Sequence, residues 1–450
     1  MSQRLLVIGG DAGGMATAST ARRRGADLDI VALEQGRYTS YSACGIPYVI
    51  GGDVWSLDEL VVRSPQQFRD QLRIDVRVGH RAMGVDLDQR TVEVRNLAQD
   101  RTYTLGFDLL HIATGARPRR PPIPGIEGPQ VYGIQNLEDA AALLEVVKAG
   151  EYRNVVVIGG GYIGLELAEA FVKREANVTV VEQGAEVMGR TLDPDIGAAV
   201  SAAMRQHGIT VYLGEAVTGV EPGAVTTSQR TIPADIVVLG MGVVPNSELA
   251  VEAGIATGPQ GSIAVDRRQR TSADGVWAAG DCCQSRFIVT GEPVYVALGT
   301  VANKQAWVAG INIAGGYATF PGVAGTAITK LCSLEVGRTG VTEREAQEAG
   351  FEYVVARIDS TTRAGYYPGA GKITVKLLAE RRTGRILSGQ VVGFEGTAKR
   401  IDVLATAITA GMSAEDLVLL DLSYAPPFSP LWDPVQQAAR RALGMLTEAG

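Results

Sequence analysis

Cysteine and histidine are scarce in this 450-residue chain: four cysteines (Cys44, Cys282, Cys283, Cys332) and three histidines (His80, His111, His207). So few cysteines exclude the disulfide framework of a secreted protein and make any thiol chemistry local. None of the histidines stands in a recognisable acid/base position, so proton delivery falls to other groups, tyrosine first among them. Excess positive charge is also missing. Lys plus Arg number 42 against 49 Asp plus Glu, a formal charge of −7, which gives nucleic acid or an anionic membrane no general hold. No apolar run approaches the roughly 18 residues of a membrane span. The start, Met1 to Arg4, leads into a strand-like segment rather than a signal peptide. The expectation is a soluble, cytoplasmic protein of about two to four domains. No metal site is expected: Cys282 and Cys283 have no further Cys or His at ligand spacing, and they, like Cys332, read as packing residues.

Glycine, by contrast, is abundant, with 55 residues and no collagen-like period; many tight strand-to-helix turns follow. The chain repeats itself once. Residues 5–36 and 155–184 each run from an apolar strand through a glycine turn and an alanine-rich helix to a second apolar run ending in Glu-Gln-Gly, which is a βαβ unit used twice. The second copy has the full G-x-G-x-x-G as Gly159, Gly161 and Gly164, with Tyr162 and Ile163 inside it. Such glycines let a pyrophosphate approach the helix N-terminus. Glu182 falls where a carboxylate accepts from a ribose 2′-OH and repels a 2′-phosphate, so NADH is expected over NADPH. The first copy keeps Gly9 and Gly14 but has Asp11 in the middle position, flanked by Gly10, Ala12 and Gly13; Glu34 closes it. Two dinucleotide sites in one chain point to a flavin beside a nicotinamide. Ala113-Thr114-Gly115, before the proline-rich crossover Pro118 to Pro124, and the strand ending in Gly280-Asp281 agree with FAD, Asp281 suiting a ribityl hydroxyl.

With these motifs in place the sequence resembles, over essentially its whole length, the flavoprotein pyridine nucleotide-disulfide oxidoreductases. The resemblance implies a glutathione-reductase-like α/β fold: an FAD domain from residues 1–115 and 246–322, an NAD(P)H domain inserted at 116–245, and a dimerisation domain at 323–450. Alternating stretches such as Lys372 to Leu377 read as antiparallel strands of that last domain. It also implies that Ala82, Gly299 and Thr300 join the FAD site, that Gly242 joins the NAD site, and that Glu166 faces the nicotinamide and flavin. No rhodanese-like extension is expected, the sequence stopping at Gly450.

The redox residue is expected at Cys44, in Tyr41-Ser42-Ala43-Cys44-Gly45-Ile46-Pro47-Tyr48. Glutathione-reductase-like enzymes have Cys-x4-Cys there, but residue 49 is Val. A single cysteine cycles through a mixed disulfide, persulfide or sulfenic acid. The pattern from Ser40 to Tyr48 resembles the single-cysteine branch: coenzyme A disulfide reductases, NADH oxidases and NADH peroxidases. Ala12, where the peroxidases and the oxidases like them carry histidine, resembles the coenzyme A disulfide reductases. Tyr424, in a Y-A-P-P segment, resembles the tyrosine that crosses the dimer interface to the partner's cysteine, and Tyr366 resembles a second such element; either phenol would protonate a leaving thiolate. Arg23 and Ser40 match the branch's coenzyme A contacts, whereas Ala43 and Trp432 replace its asparagine and lysine. The losses weaken a phosphate-bearing ligand's hold and leave another disulfide or persulfide open as substrate.

The reading is therefore a homodimeric FAD-dependent NAD(P)H oxidoreductase that reduces a coenzyme A disulfide or persulfide through Cys44. Two alternatives stand beside it: an NADH oxidase in which O2 is the acceptor and Cys44 a sulfenic acid, and a slow-turnover flavoprotein redox sensor.

Overall fold

The computed structural model describes residues 2–25 and 27–447. Both copies of the repeat fold as read. Gln3–Ile8 pairs in parallel with Leu28–Glu34 around the helix Ala12–Arg23, and Asn154–Ile158 pairs in parallel with Asn177–Glu182 around the helix Tyr162–Lys173. Each first strand is apolar without alternation because helices or sheet packing cover both faces: Leu5, Leu6 and Val7, like Val155, Val156 and Val157, are fully buried.

The duplication reaches further than the sequence shows. The first five-stranded sheet runs, in spatial order, Val276–Ala278, Leu109–Ile112, Gln3–Ile8, Leu28–Glu34, Asp75–Val78; the second runs Thr210–Leu213, Asn177–Glu182, Asn154–Ile158, Ile236–Leu239, Val131–Gly133. Each unit also carries a three-stranded antiparallel ribbon, His80–Asp86 with Thr91–Asn96 and Arg101–Gly106 in the first and Val217–Glu221 with Ala224–Thr227 and Thr231–Pro233 in the second. Ala116–Pro118 and Val243–Pro245 pair antiparallel where the chain passes between the two units.

The third unit is an antiparallel sheet ordered Ala327–Leu331, Leu334–Gly340, Ile386–Gly393, Lys372–Glu380, Tyr353–Thr361, so the segment from Lys372 is the expected antiparallel strand. Thr397–Ala410 and Pro434–Thr447 cover it, with Ile401, Leu404, Val435 and Ala438 in one core with the strands. Among the described residues no helix is long and apolar enough to cross a membrane.

Candidate active site

The glycine turns are built by close approach. Gly9 has φ +111°, and a Cβ on it would stand 2.0 Å from the Ala113 carbonyl oxygen; Gly159, with φ +97°, would meet the Gly240 carbonyl at 2.7 Å. A Cβ on Gly14 would lie 1.8 Å from the Gly9 oxygen, and one on Gly164 would lie 2.1 Å from the Gly159 oxygen. Only glycine lets these turns press against the next strand and open at a helix N-terminus.

Glu34 and Glu182 do more than the sequence suggests. Glu34 Oε2 accepts from Gly10 N–H at 2.7 Å and its Oε1 from Gly36 N–H at 2.6 Å; Glu182 accepts in the same way from Gly160 N–H at 2.8 Å and Gly184 N–H at 2.7 Å. Each carboxylate ties the glycine turn to its own Glu-Gln-Gly turn. Burial raises the Glu34 pKa despite these donors. Asp11, in place of the middle glycine, has a use of its own: Tyr41 N–H donates to its Oδ1 at 3.1 Å, and Ser40 N–H donates to the Gly10 carbonyl at 3.0 Å. These two bonds hang the cysteine-bearing segment over the first turn. Ser40 reaches its place with φ +49°.

Cys44 sits in the short 3-10 turn Ala43–Gly45 and is exposed, not packed. Its thiol pKa is raised, first by burial of its surroundings and then by Glu166, Asp281 and Asp11. Those three carboxylates come from the second repeat, the Gly-Asp turn and the first repeat, so the structure brings the expected elements together around one sulfur. Val49, where a second cysteine would stand, is 4% exposed in the helix Ile46–Gly51. Burial alone lifts Asp281 to about 6, with no hydrogen bond pulling it down, and burial also lifts Asp11 to about 6. Glu166 accepts from Thr329 Oγ1 at 3.0 Å, which fixes it against the third unit.

The remaining turn residues frame the same region. Ala12 and Gly13 open the first helix, and a Cβ on Gly13 would meet the Ala279 carbonyl at 2.8 Å. Thr114 and Gly115 are held by Asn246, whose Nδ2–H and backbone N–H donate to their carbonyls, both at 2.9 Å. Tyr162 and Ile163 open the second helix and pack on the core around Ile46 and Leu165. Gly242, with φ +82°, has open space where a Cβ would be. Gly299 and Thr300 are exposed at the start of the helix Gly299–Ile313, and Ala82 is half-buried in the first ribbon.

Tyr366 and Tyr424 are brought to each other. Both are exposed, and desolvation together with their hydroxyl contact raises the Tyr366 phenol above its ordinary value. Tyr424 lines a cavity of 560 Å³ with Arg363, Lys399 and Phe428. Among the described residues no hydrogen bond, ion pair or ring contact joins either tyrosine to Cys44 of the same chain. Arg23 is exposed in the last turn of its helix, and Trp432 has the Arg440 guanidinium 4.5 Å over its ring.

Cys282 and Cys283 are buried as expected, the latter donating to Gln305 Oε1 at 3.4 Å. Cys332 corrects the sequence reading: it is partly exposed, because it sits in the turn between two antiparallel strands with φ +52°, its N–H donating to Glu169 at 2.8 Å. His111 is fully buried, 3.0 Å from Thr17 Oγ1, and burial lowers it to about 4. Sequence reasoning also missed a buried ion cluster. Lys376 Nζ lies 2.5 Å from Glu343, 2.6 Å from Asp195 and 3.1 Å from Asp193, joining the second unit to the third. Among the described residues these are the three acids close enough to share a metal ion, and the lysine stands among them.

Two dinucleotide-type cradles meeting at a single exposed thiol define a two-nucleotide redox protein. The comparisons name the class. A family model described as pyridine nucleotide-disulphide oxidoreductase matches residues 3–306, and the dimerisation domain of the same family matches 326–434; the chain belongs to this family, whose members imply a flavin and a nicotinamide cofactor. It is 37% identical over 444 residues to an NAD(P)H coenzyme A polysulfide/persulfide reductase of Pyrococcus horikoshii, covering 98% of both chains. It is 35% identical over 449 residues to an NADH oxidase of Methanocaldococcus jannaschii, covering 99% of both. A solved NAD-dependent persulfide reductase of A. fulgidus superposes with a TM-score of 0.95 at 40% identity, covering 99% of this chain and 84% of that one.

Proposed function

We propose that this chain is an FAD-dependent, NADH-preferring reductase of coenzyme A persulfide or disulfide that works through Cys44 in a homodimer. The observation that carries the reading is the lone exposed Cys44 at the meeting of the two cradles, with a buried valine where a partner thiol would stand. The named persulfide reductases among its relatives support the acceptor class.

The residues fit both nucleotides. The first repeat ends in a ribose-facing acid, Glu34, as a dinucleotide flavin requires. Asp281, lifted by burial and with no side-chain hydrogen bond among the described residues, suits a ribityl hydroxyl. Gly159, Gly161, Gly164 and Glu182 suit NADH, with Gly242 lining open space beside them. Bound flavin would supply two-electron transfer from NADH to sulfur.

Cys44 begins the cycle as a thiolate attacking one sulfur of the acceptor. A new S–S bond forms, the old one breaks, and a thiolate or hydrosulfide leaves. Tyr424 of the partner subunit, assisted by Tyr366, gives that leaving group a proton. Two electrons supplied to the mixed disulfide then restore the Cys44 thiolate and release the second thiol. Ser40 and Arg23 hold the acceptor in this scheme.

Anaerobic NADH oxidation by the holoenzyme tests the reading. Multiple turnovers with coenzyme A persulfide or disulfide, and none without acceptor, are expected. Turnover that stalls until oxygen is admitted supports the second reading, oxygen as acceptor, which the relative named NADH oxidase favours. Heterodimers of one Cys44→Ser and one Tyr424→Phe subunit test the shared site: half the activity remains if the tyrosine serves the partner's cysteine, and none if it serves its own.

A further inference from the structure

The rim of the second cradle is held from the third unit. After Glu182 the chain folds back on its own glycine turn: Met188 N–H donates to the Gly160 carbonyl at 2.9 Å, and a Cβ on Gly160 would stand 2.7 Å from Val187 Cγ1. Met188 keeps φ +57°, a conformation that residues with a side chain rarely adopt. Such a residue stays in place only where its surroundings fix it. Its carbonyl accepts from Thr191 N–H at 2.8 Å and Leu192 N–H at 2.9 Å, and the next residue along is Asp193.

Asp193 precedes the helix Pro194–Gln206, where a carboxylate ordinarily caps its own helix, yet it makes no such bond. Both its oxygens turn to the third unit instead. Oδ1 accepts from Glu343 N–H at 2.8 Å; Oδ2 accepts from Gln390 Nε2–H at 2.8 Å and lies 3.1 Å from Lys376 Nζ. Asp193 N–H in turn donates to Gln390 Oε1 at 2.9 Å. Gln390 thus grips the backbone and the side chain of one residue, and Gln390, Lys376 and Asp193 are all buried.

Strand register explains how the third unit presents this grip. Arg338, Gln390, Lys376 and Arg357 are successive partners across the strands Leu334–Gly340, Ile386–Gly393, Lys372–Glu380 and Tyr353–Thr361, so they form one polar row on one face of the sheet. Their sequence neighbours Gly337 and Gly389 face Ile401 and Leu404 on the other side. At one end of the row Arg357 stands 3.6 Å from Asp195. At the other, Arg338 opposes the rise that burial imposes on the phenol of Tyr162, the residue that opens the helix of the second cradle. A buried polar row needs partners, and here the partners are the end of the loop that closes the cradle.

We infer that this row is a clamp on the second cradle, and that Gln390, with Lys376, is a positioning residue for NADH. The inference rests on the proposed function, which gives the second cradle to NADH. The loop presses on Gly160, inside the turn that a pyrophosphate must approach, and holding it in advance spares the binding step the cost of ordering it.

The test compares holoenzymes: wild type, Gln390→Met, which keeps the bulk and removes both hydrogen bonds, and Ile401→Ala, which weakens the third unit from its other face. Anaerobic flavin reduction at varied NADH separates the dissociation constant from the limiting rate, and hydrogen exchange of the ligand-free proteins reads the amides of residues 185–192. Gln390→Met is expected to raise the NADH dissociation constant about tenfold and to speed that exchange, with the limiting rate and the acceptor KM unchanged. Ile401→Ala is expected to change neither the constant nor the exchange. An unchanged constant in Gln390→Met overturns the inference, and so does an equal rise in Ile401→Ala, which makes the effect one of general stability. Exchange separates the clamp from the reading beneath it. If the wild type takes no electrons from NADH, the proposed function fails, while faster exchange confined to residues 185–192 in Gln390→Met still upholds the clamp and unchanged exchange overturns it.

Discussion

Glu166, on the helix of the second repeat, raises the pKa of Cys44, in the turn above the first, by more than any other single charge; only burial contributes more. A carboxylate near a thiol disfavours the thiolate, so Glu166 lowers the share of Cys44 present as the reactive thiolate in the ligand-free protein. Glu166→Gln is expected to lower the thiol pKa and speed alkylation by iodoacetamide near pH 8, read by the pH dependence of the alkylation rate. An unchanged profile would remove Glu166 from the site.

The Lys376 cluster fastens the second unit to the third. Lys376 is 4% exposed among its carboxylates, and its pKa is raised by them against the opposing effect of burial. Replacing it by methionine leaves buried acids unpaired and is expected to cost about 3–5 kcal/mol, toward the lower end because solvent reaches Asp195 and Glu343. A raised lysine pKa contributes stability in full below the unfolded value and loses it only as pH rises through the folded value. The loss in Lys376→Met is therefore expected to be undiminished at pH 7 in chemical denaturation.

Asp281 carries the opposite sign. Its folded pKa, about 6 against 3.8, means the folded protein binds more protons than the unfolded one between those values, so stability falls as pH rises from about 4 to about 6. Asp281→Asn is expected to stabilise the ligand-free protein at pH 7 by up to about 3 kcal/mol and to flatten that limb, measured by thermal unfolding across pH 4 to 7. The same variant is expected to retain flavin less well.

Glu182 is the residue proposed to favour NADH. Glu182→Gln keeps an acceptor for one of its two backbone donors but removes the charge facing a 2′-phosphate. The ratio of kcat/KM for NADH over NADPH is expected to fall about fivefold or more, the size of a ~1 kcal/mol repulsion. A constant ratio would place discrimination elsewhere.

The repeats were legible in the sequence because sterics enforce them: Gly9, Gly14, Gly159 and Gly164 each sit where a Cβ would strike backbone, so no other residue serves. Cys44 was legible from its place after the first repeat. The matching antiparallel ribbons were not, since their short strands carry little periodicity and share no glycine signature. Nor was the second task of Glu34 and Glu182, because a motif shows which residue faces a ribose and not which N–H groups hold it there. Lys376 escaped for another reason: its partners lie at residues 193, 195 and 343, and only the packing of two units brings them together. Cys332 reads as a packing residue in the sequence, but a turn between antiparallel strands opens it partly to solvent.

The most direct test of the central claim is mass spectrometry of the oxidised holoenzyme after exposure to coenzyme A disulfide without NADH, followed by addition of NADH under argon. A coenzyme A adduct on the peptide carrying Cys44, released once NADH is added and absent in Cys44→Ser, is the expected result. An adduct on the Cys332 peptide instead, or multiple turnovers in Cys44→Ser, would contradict the account.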